Sequence, residues 1–289
     1  MSDNQYILEL LMQTSQRMGA AIMPYARKEK GLNIRKKEDG TKITDADIAA
    51  NEVAMKFLSE NASDIYVISE EDPATWSSAS YEMRRRDEDV ILLDPLDGSR
   101  NIEKGNEFCT MIAYVRGDTP IVGVIHHPPT NIYYYGCEDG SFMFEVGEKE
   151  RRLTRSPQPS DLNKVIFGHS SGQKREKYVN LFAALGIDMN EENNPKLRLS
   201  GSGGLRAIQV LTGETDAILA YTKSFKEWDS AAYDAIASQM GVSVTDIFGK
   251  KLTYNKKETV HPNGVLVSAW NVSSALVEFL TEYNKTVPM

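Results

Sequence analysis

The first constraint on this chain comes from two aspartates at the end of an apolar stretch. Val-Ile-Leu-Leu leads directly into Asp94, and Asp97 follows after Pro95 and Leu96. Proline disfavours helix at the residue before it, and the Asp-Gly pair formed with Gly98 is typical of a turn. The sequence therefore predicts that the strand ends here in a sharp bend, which gathers two carboxylates around the exposed Leu96 carbonyl. An ordinary strand-to-turn corner would look the same, so this segment alone does not indicate a function.

Three other acidic sites lie where a strand should end or a helix should begin. Glu70 and Glu71 directly follow an apolar run, Asp229 begins a helical segment, and Asp47 stands three residues after the N-cap candidate Thr44. Each has an ordinary explanation as a solvated turn, a helix N-cap or a capping partner. Acids clustered at a strand end repel one another unless a cation lies among them, so the combination favours a cation site.

Composition narrows the kind of metal and the class of protein. With two cysteines and four scattered histidines there is no zinc-type spacing, so a metal would be held by oxygen, which suits Mg²⁺. Cys109 and Cys137 are expected to be small core residues in a reducing compartment. The net charge of −8 argues against nucleic-acid binding. Neither a membrane span nor a signal peptide is expected. A cytoplasmic location is expected.

The pattern of apolar residues and turn signals predicts a chain of two halves. Helices are predicted at residues 4–27, 44–58, 174–185, 205–212 and 229–240, with a loop at 28–40. Strands are predicted at residues 65–68, 90–93, 108–115, 121–126, 132–135, 165–167, 217–220 and 265–267. Those between 108 and 135 form a predicted antiparallel meander, which a hairpin through residues 140–146 continues. The proline-containing stretch 155–160 predicts a boundary between an α+β half, residues 1–155, and an α/β half, residues 156–289.

In chain order, the acidic motifs resemble those of the inositol monophosphatase superfamily, the lithium-sensitive, magnesium-dependent phosphomonoesterases. The motifs are Thr-Asp-Ala-Asp47, Glu70-Glu71, Asp94-Pro-Leu-Asp97-Gly-Ser and Trp-Asp229-Ser-Ala-Ala. Residues 69–73, 224–229, 244–249 and 263–268 are similar to the 3′(2′),5′-bisphosphate nucleotidase branch. The resemblance implies a layered αβαβα sandwich that joins an α+β half to an α/β half, with the site between them.

The same resemblance implies two or three bound Mg²⁺ ions. Glu70, Asp94 and the Leu96 carbonyl would hold the first ion, and Asp94, Asp97 and Asp229 would hold the second. A third, weaker ion would lie near Glu70.

The catalytic and phosphate-holding residues are also implied by the resemblance. Asp47 and the Ser99 hydroxyl would orient the attacking water, while the amides of Gly98 and Ser99 would hold phosphate oxygens. Serine at position 99 departs from the usual threonine of the family. The hydroxyl is kept, but the methyl group that restrains its rotamer is lost.

Substrate recognition beyond the reacting phosphate depends on fewer signals. Arg206 aligns with a lysine that relatives use on a distal phosphate, and His169 aligns with a histidine that contacts the nucleoside. Ser202, in the glycine-rich stretch before Arg206, and Asp229 complete the expected substrate-binding set. A flexible turn with a solvated arginine, and a surface histidine with its own partners, explain the same residues without a ligand.

These features lead to the expectation of a Mg²⁺-dependent phosphatase that converts adenosine 3′,5′-bisphosphate to AMP. Its 3′-phospho-5′-phosphosulfate relative is a further expected substrate. Two alternatives stay open: an inositol mono- or polyphosphate phosphatase, and a non-catalytic sensor of a metal–nucleotide complex. The partners expected are a small phosphorylated nucleotide, with no nucleic acid and no membrane, for a monomer or a homodimer.

Overall fold

A computed structural model describes residues 3–37, 42–84, 88–155, 161–170 and 176–289. The helices in these ranges are α1 (Asp3–Ala26), α2 (Asp45–Asn61), α3 (Ser78–Met83), α4 (Glu176–Ala184), α5 (Gly203–Thr212), α6 (Ala231–Ala237) and α7 (Trp270–Thr286). Short 3₁₀ helices span Pro73–Trp76, Ser99–Lys104 and Leu162–Lys164. None of the helices in these ranges combines the length and the hydrophobicity that crossing a bilayer requires.

The larger sheet of the described residues has seven strands. They are β3 (Tyr66–Ser69), β4 (Val90–Asp97), β5 (Cys109–Arg116), β6 (Thr119–His127), β7 (Ile132–Cys137), β8 (Gly140–Glu145) and β9 (Arg151–Arg152), in that spatial order. The β3–β4 pair is parallel and every later pair is antiparallel. The predicted meander is therefore confirmed, and the parallel β3–β4 pair brings the carboxyl ends of both strands to one edge.

The prediction that the strand ends before Asp94 is wrong. β4 continues to Asp97, and its pairing with β5 shifts register between these two aspartates. Pro95 lies within this irregularity, where its missing N–H costs no ladder hydrogen bond. The bulge, rather than the end of the strand, changes the direction of the side chains at this point.

The second sheet of the described residues has five strands and belongs to the C-terminal part. Its strands, β10 (Phe167–Ser170), β11 (Leu197–Ser200), β12 (Ala217–Ala220), β14 (Val242–Thr245) and β16 (Val265–Ala269), lie in the order β11-β10-β12-β16-β14. Two small sheets pair β1 (Ile34–Lys36) with β2 (Lys42–Thr44), and β13 (Phe225–Lys226) with β15 (Val260–His261). The β1 strand lies within a stretch predicted as a loop, and sequence patterns missed β11, β14 and α7.

Three apolar cores stack these elements into five layers. The first core joins α1 and α2 to one face of the seven-stranded sheet. The second joins the other face to α5, α6 and the five-stranded sheet, and the third packs α4 and α7 on the outer face of that sheet. The layers are helix, sheet, helix, sheet, helix, so the predicted αβαβα sandwich is confirmed. The predicted boundary at 155/156 borders residues 156–160, which lie outside the described residues, and it stays a prediction.

Helix α6 lies against the seven-stranded sheet without a side-chain spacer. A Cβ atom added at Gly136 in β7 would lie 2.5 Å from the Ile236 Cα, and one at Gly123 in β6 would meet the Ala232 carbonyl oxygen. Glycine is required at both positions because any side chain would push the helix away from the sheet. This close contact holds Asp229, just before α6, next to the strands that carry the other acids.

Candidate active site

Three carboxylates from separate parts of the chain converge on one point. One oxygen each of Glu70, Asp94 and Asp229 lies within 4.8 Å of the others. Glu70 follows β3, and its backbone N–H donates to the Leu93 carbonyl at 3.0 Å, which fixes it beside β4. Asp94 is only 2% exposed, and its Oδ1 accepts from the Leu96 N–H at 3.0 Å within the bulge. The predicted convergence of these acids is therefore seen in the fold.

The electrostatics of the cluster favour a bound cation. Burial, followed by the neighbouring Glu70 carboxylate, raises the pKa of Asp94 and of Asp229 well above the usual range. Burial also raises the pKa of Glu70 against the opposing effect of Lys37. The Lys37 ammonium lies 3.3 Å from Glu70 Oε1 and 2.7 Å from Glu71 Oε2. Three closely spaced carboxylate oxygens fit a hard divalent ion such as Mg²⁺, which would relieve their mutual repulsion.

Asp97 is oriented differently from the three converging acids. Its Oδ2 accepts hydrogen bonds from the Ser202 hydroxyl and, at 2.7 Å, from the Gly204 N–H. It is not one of the three residues whose oxygens group within 4.8 Å in the described chain. Its proximity still raises the pKa of Asp94 and Asp229. The roles of Asp97 and of the Leu96 carbonyl as metal ligands stay predictions.

Asp47 is both a helix-capping residue and a neighbour of the cluster. Its Oδ2 accepts from the Thr44 N–H at 2.7 Å and from the Thr44 hydroxyl, which completes the predicted capping box of α2. Burial raises the pKa of Asp47 to about 6, and the Glu70 charge adds to that shift. Within the described residues no hydrogen bond joins Asp47 to the Ser99 hydroxyl. The joint role of Asp47 and Ser99 in orienting water stays a prediction.

Gly98 sits at the turn between β4 and the 3₁₀ helix that begins at Ser99. Its φ is +88°, and an added Cβ would lie 2.6 Å from the Glu107 carbonyl oxygen. Only glycine meets both conditions, because the left-handed region disfavours side chains and the space is already filled. The turn leaves the Gly98 and Ser99 amides at the start of the 3₁₀ helix, where the resemblance places the phosphate contacts.

The predicted substrate residues Arg206 and His169 line one small cavity. Arg206 Nη1 donates to the Ser200 carbonyl at 2.9 Å. His169 is 3% exposed and packs edge-on against Tyr178 and Phe182, with ring centroids 4.7 and 5.3 Å away, so it is not a surface histidine. A direct contact of either residue with substrate stays a prediction.

Ser202 is fully buried, at the N-cap of α5. Its hydroxyl donates to Asp97 and accepts from the Leu205 N–H at 3.1 Å. The Cys109 thiol lies 3.3 Å from the same hydroxyl, and both Cys109 and Cys137 are buried free thiols, as predicted. Ser202 therefore orients Asp97 in this structure, and its contact with substrate stays a prediction.

Sequence patterns missed several residues around the site. Lys37 lies in a segment predicted as loop, and no spacing rule links it to the acids at 70 and 71. Glu227 carries no signal of its own within the motif at residues 224–229, yet it is completely buried and paired with Lys256 at 3.3 Å. Tyr233 lies on α6, and every residue of this helix is buried. The sequence therefore does not distinguish Tyr233 from an ordinary core tyrosine.

A large cleft of about 1110 Å³ lies away from this cluster. Its lining includes Tyr6, Tyr66, Asp89 and Arg116, and none of the predicted site residues. The candidate site is therefore assigned from its chemistry and not from the size of the cavity.

Comparison with known proteins supports the family that the motifs indicate. The family model described as the inositol monophosphatase family matches residues 3–283. The chain belongs to this family. The match covers nearly the whole sequence, so both sheets and all four predicted acidic motifs fall within it.

The curated relatives place this member near one branch of the family. The 3′(2′),5′-bisphosphate nucleotidase CysQ of Salmonella typhimurium is 29% identical over 91% of this chain and 100% of the relative. The protein of the same name from Shigella flexneri is 30% identical with the same coverage. The predicted resemblance to this branch is thus confirmed.

Solved structures of the family share the fold. CysQ from Bacteroides thetaiotaomicron superimposes with a TM-score of 0.71 at 22% identity, over 92% of this chain and 98% of that one. An inositol monophosphatase/NADP phosphatase solved with NADP and Ca²⁺ gives a TM-score of 0.75 at 18% identity, over 96% of each chain. At these identities the likeness establishes the architecture and no more.

Proposed function

We propose that this protein is a Mg²⁺-dependent 3′(2′),5′-bisphosphate nucleotidase that hydrolyses the 3′-phosphate of adenosine 3′,5′-bisphosphate to give AMP. Its 3′-phospho-5′-phosphosulfate relative is a second proposed substrate. The convergence of Glu70, Asp94 and Asp229 within 4.8 Å carries the proposal, because it supplies the oxygen donors that metal-assisted phosphate hydrolysis needs. Curated relatives of this name, aligned over their whole length, support the choice of substrate.

The three converging acids would hold Mg²⁺, with Asp97 and the Leu96 carbonyl as the further proposed ligands of two or three ions. When bound, Mg²⁺ lowers the pKa of water and neutralises charge on phosphoryl oxygens. The chain itself binds and orients the substrate and accepts a proton. No covalent intermediate is needed.

Asp47 is the proposed general base. Its pKa of about 6 leaves the carboxylate ionised at neutral pH, and basic enough to take a proton from water, directly or through the Ser99 hydroxyl. The amides of Gly98 and Ser99 would donate to oxygens of the reacting phosphate. Arg206 would bind the second phosphate, and His169 would contact the nucleoside.

The test compares phosphate release from adenosine 3′,5′-bisphosphate, inositol 1-phosphate and inositol 1,4-bisphosphate at equal concentrations. We expect the nucleotide to be hydrolysed fastest with Mg²⁺ and no release with EDTA. Faster release from either inositol phosphate would overturn the proposed substrate. Nucleotide binding without release of phosphate from any of the three compounds would instead indicate the non-catalytic sensor.

The remaining expectations about partners and location belong to the same proposal. A small phosphorylated nucleotide is the proposed partner, and the proposed assembly is a monomer or a homodimer that binds no nucleic acid or membrane. A cytoplasmic location is proposed with them. Gel filtration with light scattering tests the assembly.

A further inference from the structure

The Tyr233 hydroxyl is buried without a hydrogen-bond partner among the described residues. Tyr233 is 1% exposed and lies on α6, four residues after Asp229. Tyr254, also fully buried, shows the usual arrangement, because its hydroxyl donates to Asp234 Oδ2 at 2.8 Å. A buried hydroxyl without a hydrogen bond lowers the stability of the fold by about 1–3 kcal/mol. Such a group in a native structure indicates a partner from outside the described residues, such as a ligand.

Tyr233 lines the same small cavity as Arg206. Arg206 donates to the Ser200 carbonyl through Nη1, and within the described residues no carboxylate lies within 4 Å of its guanidinium. A guanidinium carries five N–H donors in a planar fork, so most of this donor set has no acceptor in the described part of the protein. Burial lowers the pKa of Arg206, and the nearby Asp97 opposes that shift. A cation so placed is well suited to an anionic oxygen.

Gly203 lies between Arg206 and the Asp97 carboxylate. A Cβ atom added at Gly203 would lie 3.5 Å from Asp97 Oδ1 and 3.7 Å from Arg206 Nη2. The carboxylate and the guanidinium therefore lie close together on either side of this glycine. A single ligand with two anionic groups can reach the acidic cluster with one group and Arg206 with the other.

The size of the cavity limits what enters it. Its volume is about 30 Å³, and Ile218, Phe225 and Val265 form part of its wall. This is far below the roughly 300–1,000 Å³ of a pocket that encloses a whole ligand, so only a small part of the substrate, such as oxygens of an anionic group, can enter it. The rest of the substrate would stay at the mouth of the cavity, beside Gly203.

We propose that the Tyr233 hydroxyl and the Arg206 guanidinium together bind one oxygen of the second anionic group of the substrate, a phosphate or a sulfate. Tyr233 thereby sets the preference for nucleotides with two anionic groups over nucleotides with one. The inference rests on the proposed function and deepens it, since it names the residue that selects the substrate class at that site.

Tyr233→Phe tests the proposal because it removes one oxygen atom and keeps the ring. We expect the KM for adenosine 3′,5′-bisphosphate to rise about tenfold or more, with kcat changed by less than about twofold, since a hydrogen bond to a charged group is lost. The ratio of kcat/KM for this substrate to that for adenosine 3′-monophosphate should fall by the same factor. The melting temperature should stay equal or rise, because an unsatisfied hydroxyl has been removed.

Tyr254→Phe is the matched control. It removes a buried hydroxyl that already has a protein partner, so it should lower the melting temperature and leave the substrate ratio unchanged. Adenosine 3′-phospho-5′-phosphosulfate carries a 5′-phosphate and a sulfate, so Tyr233→Phe should raise its KM as well. In an Arg206→Gln background, Tyr233→Phe should change the ratio by less than about twofold, because residues that share one ligand are coupled.

The outcomes separate this inference from the proposed function. A folded Tyr233→Phe protein that keeps the wild-type KM and substrate ratio would overturn the assignment of Tyr233, while a wild-type preference for the bisphosphate would leave the proposed function intact. A wild-type protein that shows no preference for the bisphosphate over the monophosphate or inositol phosphates would overturn the proposed function, and the inference with it.

Discussion

Glu227 and Asp229 stand two residues apart in the chain and show how an acid paired within the protein differs from one left among other acids. Glu227 accepts hydrogen bonds from the Asn255 N–H at 2.8 Å and the Lys256 N–H at 3.2 Å, and it pairs with the Lys256 ammonium at 3.3 Å. These donors, all from the protein, pair both oxygens of the carboxylate. Its role is to anchor the segment around Lys256 to the residues before α6.

Asp229 is satisfied far less by its own chain. Its Oδ2 accepts from the Lys226 N–H at 3.2 Å, and its other neighbours include the Glu70 and Asp94 carboxylates. Burial is the largest cause of a raised pKa in both Glu227 and Asp229, so neither burial nor the direction of the pKa shift separates them. The donors supplied by the protein do separate them, and the acid left among other acids is the one that we propose as a metal ligand.

The largest expected effect is that of Asp229→Asn on catalysis. We expect Mg²⁺-dependent phosphate release to fall about a thousandfold or more, because several kcal/mol of charge stabilisation depend on the metal. The melting temperature in EDTA should stay equal or rise, since one of three like charges has been removed. Turnover near the wild-type value would show that Asp229 is not a metal ligand and would break the comparison with Glu227.

Glu227→Gln should give the opposite pair of results. The loss of a buried charge that is fully paired should lower the free energy of unfolding by about 2 kcal/mol, measured by urea denaturation. Turnover per folded molecule should stay within about twofold of wild type, because no donor to Glu227 comes from the acidic cluster. A stable protein with strongly reduced turnover would contradict the structural role.

The smallest expected effect is on the pH dependence of stability in the metal-free protein. Burial raises the pKa of Asp47 from 3.8 to about 6 and that of Glu71 from 4.5 to about 7. Between about pH 4 and pH 7 the native state therefore holds more protons than the unfolded state. For this reason the free energy of unfolding falls as the pH rises through this range. Below pH 4 both states are protonated at these groups, so their contribution is fully present there.

Mg²⁺ should oppose this loss. The difference in melting temperature between samples with Mg²⁺ and with EDTA should grow from pH 5 to pH 7, by a few degrees, because ionised carboxylates bind the ion that neutralises them. Scanning calorimetry across this range gives the measurement. A difference that is independent of pH would show that Mg²⁺ does not bind at this cluster.

Local signals predicted well where residues that are neighbours in the sequence decide the structure. Thr44 and Asp47 predicted the capping box of α2, and apolar runs separated by turn residues predicted the meander from β5 to β7 and the hairpin that adds β8. Segment boundaries were less certain, because tertiary pairing decides them. β4 passes through Pro95 by a bulge, and α6 begins at Ala231 instead of Asp229.

The sites that sequence patterns missed depend on contacts between distant segments. Lys37 reaches Glu70 and Glu71 across more than thirty residues, and Glu227 pairs with Lys256. Tyr233 carries no local signal, because only the fold shows that its hydroxyl has no partner among the described residues and lies near Arg206. The acids themselves were predictable because their motifs occur in the same order as in the family they resemble. Which acids have hydrogen-bond donors within the protein was not predictable from the sequence.

The two glycines of the seven-stranded sheet that contact α6 restrict the movement of that helix. With backbone resting on backbone at Gly123 and Gly136, the helix has no flexible layer on which to slide. Asp229 and Tyr233 are therefore held at a fixed height above the sheet that presents Asp94. The distance between the acids proposed to bind Mg²⁺ and the Tyr233 hydroxyl proposed to bind the second anionic group would therefore be fixed before the substrate binds.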